Sequence, residues 1–373
     1  MDNELDDHSQ ELARRRVPCL IAYLHPFRIV EAPQLEPWAV TIEDVNRRSW
    51  NYVALHEIAG GIEVGLPSPY HLVIARDGAL ALPPIDGLRS DQAAVGFFNR
   101  CLAALLIGGV YCEAVTTDGL DLGSIIDWKY VRSHHTGTAA SNRFHHLIRY
   151  RHATPYEAIA LYRSRIVSIN TLGRAMTEGL GVLDRLPALG GEYLLKGTTA
   201  IARRDWGGAL ANLWIGIEQL VSELWQRDVV KPALQGDKSK ARRDQLNDTR
   251  TWTAAARVEM LLQKGAIDLS TFKLISAARK ARNDLSHAGT PPREIEAQAA
   301  YGSLCALLSF ALDGEHLKLF DLKLSDHALF DPFAPPRIEG EPEFWMEIPK
   351  LPGEQELEKA EARLGMGGAG AGA

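Results

Sequence analysis

The sequence changes character near residue 150, and that change constrains the fold more than any other feature. Beyond it, residues 155–186, 192–205, 206–228, 252–264, 268–287 and 292–312 each show apolar residues at helical spacing. Short Gly, Pro or charged connections join them. Leu210, Leu213, Trp214, Ile217, Leu220, Val221, Leu224 and Trp225 form the wide apolar stripe of a core-facing helix. Residues 235–250 are polar and read as an exposed loop. A chain built this way can bury its apolar faces only as a helical bundle.

The first half follows a different rhythm. Residues 17–30 are apolar but broken by Pro18 and Pro26, 52–58 alternate in part, and 70–76 (YHLVIAR) form a short strand pattern. Leu66-Pro67-Ser68-Pro69 and Leu82-Pro83-Pro84 punctuate these runs. Residues 90–108 read as a helix. Ser90 is its N-cap, Val95, Phe98, Leu102, Leu105 and Leu106 make its apolar face, and Gly108-Gly109 ends it. Residues 111–117 resemble a further strand. The expected class is α+β: a mixed α/β domain over 17–150, a linking helix over 151–189, and an all-α bundle over 190–314. A mobile acidic lead-in (1–16) and an acidic, Pro/Gly-rich tail (315–373) flank them. No repeat of fixed period occurs.

Composition removes several classes of protein. With 46% hydrophobic and 24% charged residues, the 373-residue chain is neither disordered nor fibrous. Its longest apolar run, 101–110, falls short of the ~20 residues a membrane helix needs. The opening MDNELDDHSQ lacks the basic-then-apolar order of a signal peptide. Cys19, Cys101, Cys112 and Cys305 are scattered and suit reduced thiols in the cytoplasm. The net charge of −6 is a sum of unlike parts: residues 313–361 hold thirteen acids and five bases, a local −8, whereas 128–165 hold seven bases and one acid, a local +6. The total therefore does not exclude an RNA partner.

Of the motifs, Gly365-x-Gly367-x-x-Gly370 is a literal GxGxxG without the strand-to-helix context that gives it meaning. P-loop, HExxH and GxSxG signatures are absent. His134-His135, His145-His146 and His152 raise the question of a metal. Adjacent histidines on a helix point about 100° apart, however, and no cysteine or carboxylate pair completes a ligand set. No metal or cofactor is expected. The same stretch carries Arg143, Arg149 and Arg151 among Phe144, Tyr150 and Tyr156. Such a pattern suits phosphate contacts and base stacking, although charge runs are commonly just solvated faces.

The most informative segment is Ala277-Ala278-Arg279-Lys280-Ala281-Arg282-Asn283-Asp284-Leu285-Ser286-His287-Ala288-Gly289. Asp268 or Ser270 caps the helix start, and Gly289 with Pro291 and Pro292 stops it. Leu274, Ile275, Ala278, Ala281 and Leu285 form the buried stripe. Asn283 and His287 fall on the opposite side, one turn apart, with Arg282 on the flank. An exposed polar face ending in a histidine is also what the helix dipole alone favours.

Arg282-Asn283-x-x-x-His287 resembles the R-polar-x-x-x-H signature of HEPN domains, helical bundles found in many prokaryotic ribonucleases, toxins and defence proteins. The resemblance covers roughly 190–314. Trp214-Ile215-Gly216-Ile217-Glu218 is similar to the aromatic and acidic pattern of an earlier helix there. The resemblance implies a metal-independent endoribonuclease working as a homodimer through its motif-bearing helices, and a toxin or phage-defence role. His287 would serve as general acid or base. Arg282 would hold non-bridging phosphate oxygens, and Asn283 would orient the phosphate or the imidazole. The products would be 2′,3′-cyclic phosphate and 5′-hydroxyl ends. Glu218 would sit partly buried and paired with Arg282 or another arginine. Arg279 and Lys280, with the 143–151 arginines, would contact RNA. The N-terminal half would sense a regulatory protein or ligand, or position RNA. The rival is a non-catalytic module that binds a nucleotide, RNA or protein, or serves assembly.

Overall fold

The computed structural model describes residues 16–327 apart from 68, 84, 89, 237 and 238, together with 356, 359, 360 and 363. The acidic lead-in before Arg16, most of the tail and the Gly365–Gly370 motif lie outside the described residues. The strands are β1 (Arg16–Tyr23), β2 (Arg28–Glu31), β3 (Ile58–Ile62), β4 (Leu72–Ala75), β5 (Ala79–Leu82), β6 (Asp121–Ile126), β7 (Tyr130–Ser133) and β8 (Arg165–Ser168). The helices are α1 (Ile42–Arg47), α2 (Asp91–Ile107), α3 (Ala140–Arg149), α4 (Pro155–Tyr162), α5 (Ile169–Arg185), α6 (Gly191–Ala202), α7 (Trp206–Trp225), α8 (Lys240–Asn247), α9 (Ala254–Gln263), α10 (Leu269–Ala288) and α11 (Glu294–Ala311). The fold is α+β.

Six strands form one antiparallel sheet in the order β3-β4-β5-β1-β6-β7. The sheet curls until its edges meet. The Ile58 amide donates to the Lys129 carbonyl at 2.8 Å, and Glu57 bridges Tyr130. Alternate residues divide the two faces. Cys19, Ile21, Tyr23, Val73, Ala75, Ala79, Ala81, Ile125 and Val131 fill the inside of the curl. Ala22, Leu72, Ile74, Leu80 and Leu82 pack outward against the helices. Burial on both faces explains why β4 and β5 read as continuous apolar runs rather than alternating ones.

From the sheet's outer face the core continues through α2, α5 and α6 into α7, α9, α10 and α11 as one apolar cluster. Two glycines let α2 and α5 touch backbone to backbone. A Cβ at Gly179 would collide with the Ala104 carbonyl, and one at Gly108 with the Ala175 carbonyl. Backbone cannot rotate out of the way, so Gly179→Ala is expected to destabilise the chain by about 1–3 kcal/mol, the cost of overpacking. A urea unfolding midpoint unchanged from wild type would show that the helices can separate freely.

Three expectations are corrected. Residues 155–186 are not one helix but α4, β8 and α5. Residues 165–168 pair in parallel with β2 through Ile29–Ile166 and Val30–Val167, and Ser168 then caps α5 by accepting from the Thr171 amide. Residues 111–117 form no strand, because side chains take the place of a ladder. Asn99 exchanges two hydrogen bonds with Val115, at 2.8 and 2.9 Å, and the Ala114 amide donates to Thr199 Oγ1 at 2.9 Å. The exposed stretch 235–250 contains a helix, α8, pinned where Trp225 Nε1 donates to the Leu246 carbonyl at 3.1 Å.

Candidate functional site

The helix carrying the motif, α10, begins where Asp268 accepts from the Thr271 amide at 2.8 Å. It ends at Gly289, whose φ of 64° is the left-handed conformation that glycine adopts without a Cβ clash. Ile275, Ala278 and Ala281 face the core. Asn283 and His287 are exposed, as are Arg279 and Lys280 ahead of them, and Arg282 is half-buried between the two faces. Arg282 Nη1 donates to Asn283 Oδ1 at 3.4 Å, a long bond. Asn283 and His287 thus share the solvent side of the last turns, with Arg282 on the flank, as their spacing predicts.

Glu218 is corrected. It is exposed on α7, and among the described residues it forms no ion pair with Arg282 or any other arginine. It lies on the rim of the Trp214–Trp225 stripe, where a long side chain reaches water.

The basic block of the N-terminal half divides in the same way. Arg143 and Arg151 are exposed, and the Arg151 guanidinium lies over the Tyr52 ring, 4.7 Å from its centroid. Arg149 cannot contact RNA, because it is fully buried. The helix α3 plugs the mouth of the curled sheet and turns Asn142, His145 and Arg149 inward. Arg149 Nη2 donates to Asp77 Oδ1 at 2.6 Å, Nε to Asp77 Oδ2, and Nη1 to the Val131 carbonyl at 2.9 Å. Its charge also lies over the Tyr23 ring at 5.4 Å. Burial alone would raise the Asp77 carboxyl; the Arg149 guanidinium overrides it and holds Asp77 well below the usual carboxylate range. His145 stacks on Tyr23 with centroids 4.1 Å apart, and its Nδ1 is 3.6 Å from Asp77 Oδ2, too far for a hydrogen bond.

Several histidines are held neutral, His56 and His145 beside the plug and His25 and His327 away from it. Burial lowers His25 and His145, and pushes His56 and His327 down to about 4, with nearby arginines adding to the effect. The unfolded chain takes up these protons near pH 6.5, while the folded chain resists until lower pH. Stability is therefore greatest above about pH 6.5 and declines as pH falls toward 4. Urea midpoints at pH 7.5, 6 and 5 should fall in that order; equal midpoints would contradict the neutral-histidine assignment.

Beside the plug, His146 Nε2 is 2.5 Å from the buried Asp121 Oδ2. Burial would raise Asp121, but hydrogen bonds from His146, the Gly137 amide and Ser133 bring it down to about 2. Ser133, His146 and Asp121 do not make a nucleophilic triad. Ser133 Oγ donates to Asp121 at 2.8 Å and meets the same His146 nitrogen at 3.2 Å, so the histidine has no second nitrogen between acid and hydroxyl. The pair is instead a positioned imidazole on the wall of an open pocket of about 580 Å³ that His135, Arg143, Tyr150 and His152 also line. Among the described residues no three His, Cys, Asp or Glu side chains converge as a metal-ligand set would, and no helix is long and apolar enough to cross a membrane. The four cysteines are free thiols.

Sequence reasoning missed Asp77 and Asp121 as the partners that organise this half. One signal was present: Arg76-Asp77 interrupts LVIARDGALAL, a turn whose flanking strands are wholly buried, and a charge there must have a partner.

No family model, curated protein or solved structure matches the chain.

Proposed function

We propose that the protein is a metal-independent endoribonuclease that acts as a homodimer through its α10 helices. The observation that carries this reading is the grouping of Asn283 and His287 on the solvent face at the end of α10, opposite its buried Ile275, Ala278 and Ala281, with half-buried Arg282 on the flank. Transesterification requires a base for the ribose 2′-hydroxyl, an acid for the leaving 5′-oxygen and a cation for the phosphorane. One imidazole removes the 2′-proton, the 2′-oxygen attacks phosphorus, and the P–O5′ bond breaks. The partner subunit's His287 protonates the departing oxygen, leaving a 2′,3′-cyclic phosphate and a 5′-hydroxyl. Arg282 holds the non-bridging oxygens with its planar fork.

One chain presents a single motif histidine, so the reaction calls for the two-fold dimer. Ile295, two-thirds exposed at the start of α11 just past the motif, offers apolar surface for such a contact. Arg279, Lys280, Arg143 and Arg151 are exposed and suited to the RNA backbone. The free thiols suit the cytoplasm, and a toxin or phage-defence role rests on the motif resemblance alone. The test is a pair of substrates of one sequence, RNA and DNA, incubated with the purified chain in EDTA. RNA should be cut and DNA, lacking the 2′-hydroxyl, left intact. Cutting of both would overturn the mechanism.

A further inference from the structure

We propose that the pocket beside α3 is a binding site for a nucleoside phosphate, distinct from the α10 motif, although its Arg143 also belongs to the RNA-contacting surface proposed above. The pocket encloses about 580 Å³, within the range of small-ligand sites. Two kinds of group line it. The first is cationic or protonatable: Arg143, His135, His146 and His152, with no acidic side chain on the lining. Arg143 is exposed, and among the described residues its side chain has no ion-pair or hydrogen-bond partner, so its guanidinium is available to a ligand. The second is a surface of rings set edge to face, with one aliphatic side chain beside them. The His135 ring meets the Tyr150 ring edge-on at 4.4 Å and the His146 ring at 4.1 Å, and Leu147 continues the surface.

The wall is fixed from behind. His146 is anchored to buried Asp121, and Tyr150 directly follows Arg149, which is locked in the plug. His135 holds a φ of 59°, and its amide donates to Ser133 Oγ at 3.0 Å, which places its ring on the pocket side. A ligand that satisfies both halves of such a pocket carries an anionic group for Arg143 and an aromatic face for the ring wall. A nucleoside phosphate has both, and the Thr138 hydroxyl on the rim suits its ribose.

The same chemistry could come from a free mononucleotide or from a nucleotide of an RNA strand, and the experiment separates them. The full chain, in EDTA, is titrated calorimetrically with the four ribonucleoside 5′-monophosphates, with adenosine, with inorganic phosphate and with a 5′-phosphorylated RNA hexamer carrying 2′-O-methyl groups to block cleavage. At least one monophosphate should bind one per chain. The nucleoside and phosphate alone should bind at least tenfold more weakly, because each engages half of the site. Arg143→Ala should weaken the monophosphate at least tenfold, and His152→Ala should weaken it measurably, both with unchanged thermal midpoints since both side chains are exposed. Tighter binding of the hexamer than of any monophosphate, lost in Arg143→Ala, assigns the site to RNA. Absence of binding by every probe, or binding indifferent to both substitutions, overturns the proposal. His287→Ala should leave the monophosphate affinities unchanged, so failure of the pocket and failure of the nuclease are read separately.

Discussion

His287→Ala is expected to lower RNA cleavage by about 10²–10⁴-fold, the usual contribution of a positioned acid–base group. The expected loss falls on turnover rather than on folding. The side chain is exposed at the end of α10 and carries no packing, so thermal midpoints of variant and wild type should agree within a degree or two. Arg282→Ala should lose about 10²–10³-fold by withdrawing the donor that meets phosphorane charge, and Arg282→Lys should recover little because an ammonium cannot reproduce the planar fork. Gel analysis of a radiolabelled RNA checks each rate. Wild-type rates in both alanine variants would remove the motif from the chemistry, whereas no cleavage by any of the three proteins would favour a module that binds without cutting.

Arg149→Met should have the largest effect on stability, about 3–5 kcal/mol. The methionine fills much of the volume but leaves the Asp77 carboxylate, fully buried, without its counter-charge. The carboxylate must then either stay charged in an apolar cavity or take up a proton, and both weaken the fold. Combining Arg149→Met with Asp77→Asn should restore part of the loss, since the pair is then removed together. Arg143→Ala, one helical face away but in water, should change stability by less than about 0.5 kcal/mol. Urea unfolding of the four proteins measures these differences. An Arg149→Met midpoint close to that of Arg143→Ala would mean that water reaches Asp77.

Much of the helical half was legible because its determinants are local. Ser90 and Asp268 cap α2 and α10 as their positions suggest, and the stripe from Leu210 to Trp225 is buried along α7. What was not legible depends on partners far along the chain. Residues 165–168 become a strand because β2, more than a hundred residues earlier, offers its edge. Residues 111–117 fail to become one because Asn99 and Thr199 satisfy their backbone. Composition weighs Arg149 equally with Arg143 and Arg151, yet only the inward face of α3 turns its arginine into a buried ion pair. Glu218 differs from expectation for a similar reason, lying on the exposed rim of the α7 stripe rather than in it. The motif residues at α10 were placed correctly because helical periodicity alone settles which side of a capped helix faces the core.

Metal-independent transesterification at α10 leaves its mark in the ends of the products. Wild type and His287→Ala are incubated with a mixed RNA pool in excess EDTA, and the fragments are analysed for terminal groups. The account predicts fragments from the wild type bearing 2′,3′-cyclic phosphate and 5′-hydroxyl ends, and intact RNA from the variant. Equal cleavage by both proteins, fragments with 5′-phosphate ends, or intact RNA from the wild type would contradict it.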